Sequence, residues 1–292
     1  MHKPVLLQST LKFLQVKPQE IYLDCTLGSA GHTLEIIKRG GLVYGLDIDP
    51  LALKRSKERV FKAYPNAFFK AKLANFSELS AVAQELGLTA VAGILLDLGL
   101  SSEQLADPDR GFSFNLDAPL DMRASPDYQV TAADLINGLN KGELYELFTK
   151  LGEEQHSLSI ADLIVRTRLI KPIITTKQLA EIVMKAVSKR KDLSAHWRIH
   201  PATKVFQALR IAVNDELNNL KTVLPQAVAL LKPGGRLAVI SFHSLEDRIV
   251  KLYFKNNAQL INLTKKPIMA SDQEIKANPR SRSAKLRVVE KI

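Results

Sequence analysis

IYLDCTLGSAGH, residues 21–32, is the stretch whose reading decides the fold. Ile21 to Asp24 read as a short apolar strand. The glycine-bearing segment Thr26 to Gly31 then reads as a tight turn feeding a helix. Such a turn lets a ligand approach backbone amides at a helix N-terminus, where partial positive charge favours an anionic group. The spacing is not G-x-G-x-x-G, so the turn alone fits equally well a strand-to-helix connection that binds nothing.

Working outward, LVYGLD (42–47), AFFK (67–70) and VAGILLD (91–97) repeat the strand signature at helix-length intervals, which predicts the βαβ alternation of a parallel sheet. Residues 91–96 are continuously apolar, as a strand covered on both faces requires. Between the second and third strands, residues 50–63 read as a crossover helix, with Asp49 as N-cap and Pro50 in its first turn. Sheet character stops after Asp97 and resumes at GRLAVIS (235–241), behind a helical 215–231 and the turn Lys232-Pro233-Gly234-Gly235. That gap is too long for a loop. Residues 131–151, 153–168 and 176–190 carry helical apolar spacing, and 285–289 reads as a last strand, antiparallel to its neighbours. The expected organisation is an α/β domain made of 1–105 plus 204–292, interrupted by an all-helical insertion at 106–203.

Acidic residues fall at the strand ends. Asp47 closes the second strand about twenty residues after the glycine turn, where a carboxylate accepts hydrogen bonds from ribose hydroxyls in nucleotide-binding folds; a helix cap is the alternative, already filled by Asp49. Asp97 closes the fourth strand and is carried to the same crevice, unless it is simply a solvated loop residue. Ser241, His243 and Asp247 follow the fifth strand and invite a hydrolase reading. No G-x-S-x-G elbow is present, however, and Ser244 as a helix cap with Asp247 in the first turn is the plainer account, leaving His243 to face substrate. His32 can be a packing residue. His196 and His200 lack the carboxylate spacing of a zinc helix, and no metal is assigned.

The chain has 292 residues, 46% hydrophobic and 24% charged, which fits a folded globular protein. Its 41 Lys and Arg against 30 Asp and Glu give a net charge of +11 and a pI near 9.6, favouring a polyanionic partner. Basic residues cluster at Arg166, Arg168, Lys171, Lys185, Lys189, Arg190 and Lys191, and again at Lys276, Arg280, Arg282, Lys285 and Arg287. Phe112 and Trp197 are candidates for stacking on bases, although both suit a core. The N-terminus lacks the apolar core of a signal peptide and no stretch is long and apolar enough for a spanning helix, so a cytoplasmic protein is expected. The single Cys25 excludes an internal disulfide.

Seven segments carry a family resemblance: DCTLGSAGH (24–32), LDLGLSSEQL (96–105), DRGFSF (109–114), PLDMR (119–123), HPATKVFQALRIAVNDEL (200–217), SFHSLEDRIVK (241–251) and NPRSRSAKLRV (278–288). From end to end the chain resembles the MraW family, ribosomal RNA small subunit methyltransferase H. The resemblance implies a Rossmann-like class I methyltransferase with a mostly parallel, seven-stranded sheet. It also implies S-adenosylmethionine as cofactor and methylation of N4 of a cytidine in the decoding region of 16S rRNA. By resemblance the cofactor contacts fall on Ala30, Gly31, His32, Asp47, Phe76, Asp97 and Gln104, with Asp97 also the candidate catalytic residue. Arg110, Arg123 and His243 are candidate RNA contacts, and the insertion would present the RNA. The implied partner is 16S rRNA within the small subunit, with a homodimer left open. The family usually has glycines where Ala30 and Cys25 stand here. Two rivals remain: a nicotinamide dehydrogenase, disfavoured by the missing G-x-G-x-x-G, and a non-catalytic RNA-binding or assembly factor on the same fold.

Overall fold

The computed structural model describes residues 4–188 and 200–292. Lys189, Arg190, Lys191, His196 and Trp197 lie outside the described residues, as does the end of the helix expected to reach 190. The chain separates into two compact units, residues 1–100 with 217–292, and residues 101–216.

The first unit opens with α1 (Leu7–Leu14), β1 (Ile21–Asp24), α2 (Gly31–Lys38), β2 (Leu42–Asp47), α3 (Pro50–Ala63), β3 (Phe69–Leu73), a 3-10 turn at Phe76–Glu78, α4 (Leu79–Glu85) and β4 (Val91–Asp97). The second unit holds α5 (Ser102–Ala106), α6 (Ala132–Gly138), α7 (Lys141–Gly152), α8 (Ser157–Arg168), α9 (Thr176–Ser188) and α10 (Ala202–Val213). After it come α11 (Glu216–Leu230), β5 (Leu231–Ser241), α12 (Ser244–Asn256), β6 (Leu260–Asn262), β7 (Ile268–Met269), α13 (Asp272–Ala277) and β8 (Lys285–Lys291).

The sheet runs β3-β2-β1-β4-β5-β8-β6, with β7 also paired to β8. Strands β3 through β5 are parallel, while β8 is antiparallel to β5, β6 and β7. Eight strands replace the seven implied by resemblance, because the two-residue β7 adds a short partner to β8. Strand β8 lies inside the sheet although it follows β6 and β7 in the chain. The apolar run of β4 splits by face: Ile94 and Leu96 join Leu79, Leu224, Val250 and Phe254 on one side, and Leu95 joins Leu11, Leu14, Ile36 and Val60 on the other. Both cores exclude water, and each fully buried Leu or Ile contributes roughly 1.5–3 kcal/mol.

Several element expectations differ from the structure: β5 starts at Leu231 and takes in the turn expected at 232–235, and the helix expected from 153 starts at Ser157. Strand β3 begins at Phe69, because a turn closed by the Ala67 N–H on the Tyr64 carbonyl (3.1 Å) takes up the preceding residues. The helix expected at 131–151 is two, α6 and α7, because Asn140 and Glu143 form a capping box that starts a new helix after Leu139. The helical unit extends to Glu216 rather than 203, since α10 packs on α7 and α9. Its core is built from Leu144, Phe148, Ile160, Ile164, Leu179, Val183, Val205 and Leu209.

Candidate functional site

Strand β1 is followed in sequence by β2 on one side and paired on the other with β4, so connections leave the sheet in opposite directions beside it. A crevice at the carboxyl ends of the strands is the geometric result. Four strand ends deliver polar groups to this rim: Asp24 from β1, Asp47 from β2, Asp97 from β4, and Ser241 to His243 from β5.

Asp24 shapes the turn. It accepts from the Thr33 hydroxyl at 2.7 Å and from the Thr26 N–H at 3.2 Å, locking the start of α2 to the end of β1. The Thr26 hydroxyl accepts from the Asp97 N–H at 2.7 Å, tying β1 to β4. Asp47 holds the same turn from the other side: one carboxylate oxygen accepts from the Gly28 N–H at 2.7 Å and the other from the Asp49 N–H at 2.9 Å. Asp49 caps α3 through the Leu51 N–H (2.9 Å), as its place before Pro50 suggests. Leu27 lies under the turn against Gly45, where a Cβ would come within 2.4 Å of the leucine, so β2 needs a glycine there. Gly28 and Ala30 both have left-handed backbones, φ 48° and 57°. Ala30, which stands where the family has glycine, bears a conformational cost there of about 1 kcal/mol.

His32 is buried at the head of α2. Its Nε2 is 3.1 Å from the Val5 carbonyl, which can only accept, so that hydrogen bond places a proton on Nε2 and turns Nδ1 toward Asp97 Oδ2 at 3.7 Å. The other Asp97 oxygen, Oδ1, is buried with no hydrogen-bond partner among the described residues. Burial, reinforced by Asp24 and Glu246, pushes the Asp97 carboxyl up to about 7. Burial likewise raises Asp24 and Asp47 to about 6, with the amide bonds from Asp49 and Gly28 holding Asp47 down. Three desolvated carboxyls with spare acceptor capacity suit a ligand rich in hydroxyl or amino donors.

Phe76, half-buried after β3, packs on the core of the sheet. The Ala74 N–H bonds the Asp47 carbonyl at 3.0 Å and brings this segment to the β2 end of the rim. Phe242 fills the space above Gly99, where a Cβ would meet its ring at 2.5 Å.

His243 does not stand as an open side chain. It is the N-cap of α12 in a capping box with Glu246, which corrects the expectation that Ser244 caps this helix. Glu246 accepts from the Phe242 and His243 N–H groups at 2.7 and 3.2 Å, and its other oxygen lies 3.2 Å from His243 Nε2, both side chains being buried. Asp247 pairs instead with Arg287 at 2.6 and 3.1 Å; Arg287 is 5% exposed, so it leaves the basic C-terminal cluster as an internal ion pair. Asp24, Thr26, Thr33 and Glu246 were not singled out from the sequence.

In the second unit, Gln104 forms a capping box with Ser101 at the start of α5. Arg110 donates to the carbonyls of Arg123 and Ala124 at 3.1 and 3.0 Å. Arg123 forks onto Asp121 at 2.8 Å through two nitrogens and reaches the Tyr128 carbonyl at 2.7 Å. Both arginines thus brace the loop between α5 and α6. Phe112 is buried beneath Arg110, and Phe114 stacks on His200 with ring centroids 4.6 Å apart. Arg166 pairs with Asp162, and Arg168 donates to the Ile136 carbonyl. No helix among the described residues is long and apolar enough to cross a membrane.

A model of the MraW methylase family matches residues 1–292. Ribosomal RNA small subunit methyltransferase H of Geobacter sulfurreducens is 46% identical over all of this chain and 99% of its own length. The protein of the same name from Deinococcus radiodurans is 48% identical over 99% of this chain and 89% of its own length. Among solved structures, an rRNA methylase from Streptococcus thermophilus overlays with a TM-score of 0.47 at 11% identity, covering 100% of this chain and 99% of that one.

Proposed function

This chain belongs to the MraW methylase family, the ribosomal RNA methyltransferases, and from that premise we propose that it methylates N4 of a cytidine in the decoding region of 16S rRNA, using S-adenosylmethionine. The observation that carries the reading is the Asp97 carboxyl: half-buried at the sheet rim, with its Oδ1 buried and unpartnered among the described residues, beside a glycine turn braced by Asp24 and Asp47.

The residues fit the methyl donor. The amides of Gly31 and His32 lie at the head of α2, where a carboxylate is favoured, while the Ala30 N–H closes the turn on the Leu27 carbonyl at 2.6 Å and shapes the approach. Asp47 uses one lone pair of each oxygen on the backbone and keeps the others for two ribose hydroxyls. Phe76 offers an apolar wall for the adenine, and Gln104 is assigned to close the pocket. When bound, the donor supplies a methyl group activated on a sulfonium.

A cytosine amino group is a poor nucleophile because its lone pair is delocalised into the ring. Asp97, accepting an amino hydrogen at Oδ1 together with backbone carbonyls of 98–100, pulls that hydrogen from the ring plane and localises the pair. In-line alignment and exclusion of water assist the transfer, and the proton that the methylated nitrogen must shed passes to the Asp97 carboxylate. The base must leave any stack to arrive. The chain lacks the Pro-Pro-aromatic tetrad of many amino-group methyltransferases after β4, which leaves this task to Asp97. We assign Arg110 and Arg123 to shaping a loop that meets the RNA, and His243 to fixing the β5–α12 corner at the rim of the sheet.

Mass spectrometry of small-subunit RNA from cells with and without the protein tests the reaction: a methylcytidine disappears in its absence. Asp97→Ala lowers turnover on small ribosomal subunits by about 10²–10⁴-fold while donor binding persists. Near-parental turnover, or an unchanged RNA, sinks the reading and favours a non-catalytic assembly factor.

A further inference from the structure

Helix α3 follows the rim directly, starting three residues after Asp47, and its buried stripe is Ala52, Ser56 and Val60. The opposite face carries Lys54, Arg55, Lys57 and Lys62, all exposed. None of the four makes an ion pair or hydrogen bond among the described residues, although Glu58 lies on the same helix. Elsewhere in the unit, Lys38 and the half-buried Arg39 reach Glu35, and the half-buried Lys72 reaches Glu85. On α3 Lys54 and Lys57 stand one turn apart and Arg55 one turn from Arg59, while the single Glu58 stands one turn from Lys54, Arg55 and Lys62, so the face keeps a net positive charge.

The same helix carries an aromatic ring. Phe61 on α3 is 43% exposed and stands edge-on to Phe69 at 6.0 Å. Cations beside a half-exposed ring form the surface that nucleic acid recognises: phosphates take the charge, and an unpaired base stacks on the aromatic face. An apolar protein partner would leave four cations uncompensated. Strand β3 is the outermost of the parallel strands, so nothing in the sheet covers this side.

We propose that the solvent face of α3, with Phe61, is a second RNA-docking surface, on the methyltransferase unit itself, gripping the ribosomal RNA substrate along a line of about 20 Å that starts at the rim of the site. It rests on the rRNA-methyltransferase reading and extends it, since every RNA contact expected from the sequence lay in the insertion, at the C-terminus or after β5. Arg59 is excluded from the phosphate-binding set because it donates to the Ser29 carbonyl at 2.7 Å and supports the turn.

The test measures affinity for a protein-free transcript of small-subunit ribosomal RNA, and for small ribosomal subunits, across a series of KCl concentrations. It compares the parent, the quadruple variant Lys54→Gln/Arg55→Gln/Lys57→Gln/Lys62→Gln, and a control, Lys221→Gln/Lys251→Gln/Lys255→Gln, on α11 and α12. The quadruple variant is expected to flatten the slope of log affinity against log salt by about 3, at roughly 0.7–0.9 per lost phosphate contact. Phe61→Ala is expected to weaken binding about tenfold with the slope unchanged, the worth of one stacked base. Calorimetric binding of S-adenosylmethionine stays parental in all variants, which shows the fold and donor site intact. Equal slopes in parent and quadruple variant overturn the proposal, as does a control that flattens the slope as much. A loss seen with the subunit but not with the transcript assigns the face to a ribosomal protein and overturns it too. A parent that binds neither probe overturns the rRNA reading and this surface with it, whereas a parent that binds and methylates beside an unaffected quadruple variant removes only the surface.

Discussion

Asp97 is a carboxyl that the folded protein prefers to keep protonated. Its folded value of about 7, raised first by burial, lies well above the ordinary carboxylate value near 4, so the folded state binds the proton more tightly than the unfolded chain. The stability tied to this group is complete below pH 4 and is lost as the pH climbs through 7. Asp97→Asn is therefore expected to stabilise the protein at pH 8, by on the order of 2 kcal/mol for a side chain still one-fifth exposed, and to do so much less at pH 5. Urea unfolding at the two pH values checks this; an equal gain at both contradicts the assignment. Turnover of the parent should rise through pH 7 as the acceptor carboxylate forms. Asp47 and Asp97 were legible in the sequence because apolar strands end on them. Asp24 and Glu246 were not, since their importance arises from burial among groups distant in sequence, and Ser outranks His as a helix cap, which hid the role of His243.

Among the elements, the turn between β1 and α2 depends on β2 beneath it. Gly45→Ala drives a methyl into Leu27, and overpacking of this kind costs about 1–3 kcal/mol; it should also weaken S-adenosylmethionine binding, because Leu27 carries the turn. A lowered thermal midpoint with unchanged calorimetric affinity would separate the two effects and refute the second. Strand β8 is fastened to α12 by the Arg287–Asp247 pair, and Asp247→Ala leaves a buried guanidinium without its counter-charge, an expected loss of about 3–5 kcal/mol in chemical denaturation. The bounds of β1, β2, α3 and β4 follow from apolar runs and a proline-marked cap, and the structure reproduces them. Strands β6 and β7, three and two residues long, carry no period to read; they exist because β8 offers them an edge. Helices α6 and α7 share one apolar stripe, so only the capping box at Asn140 separates them.

At the scale of the whole molecule, the net charge of +11 sets a long-range attraction to polyanions, and the folded state gains further from its small ligand. S-adenosylmethionine at a hundred times its Kd is expected to add about 2.7 kcal/mol to unfolding and raise the thermal midpoint by roughly 5–10 °C, while NAD leaves it unmoved. A shift with NAD instead would revive the dehydrogenase alternative. The two-unit organisation was legible because sheet periodicity lapses after Asp97 and returns near 235; its boundary was not, because α10 looks like any amphipathic helix until its partners α7 and α9 are known. The inward place of β8 bears on how the protein is made. While the ribosome is still translating residues 242 to 284, the outer backbone of β5 has been synthesised without the strand that covers it, and β6 and β7 have nothing to join. Each nascent chain must carry that sticky margin until residues 285–291 emerge, and a message cut short before them yields a product prone to clump rather than a smaller working enzyme.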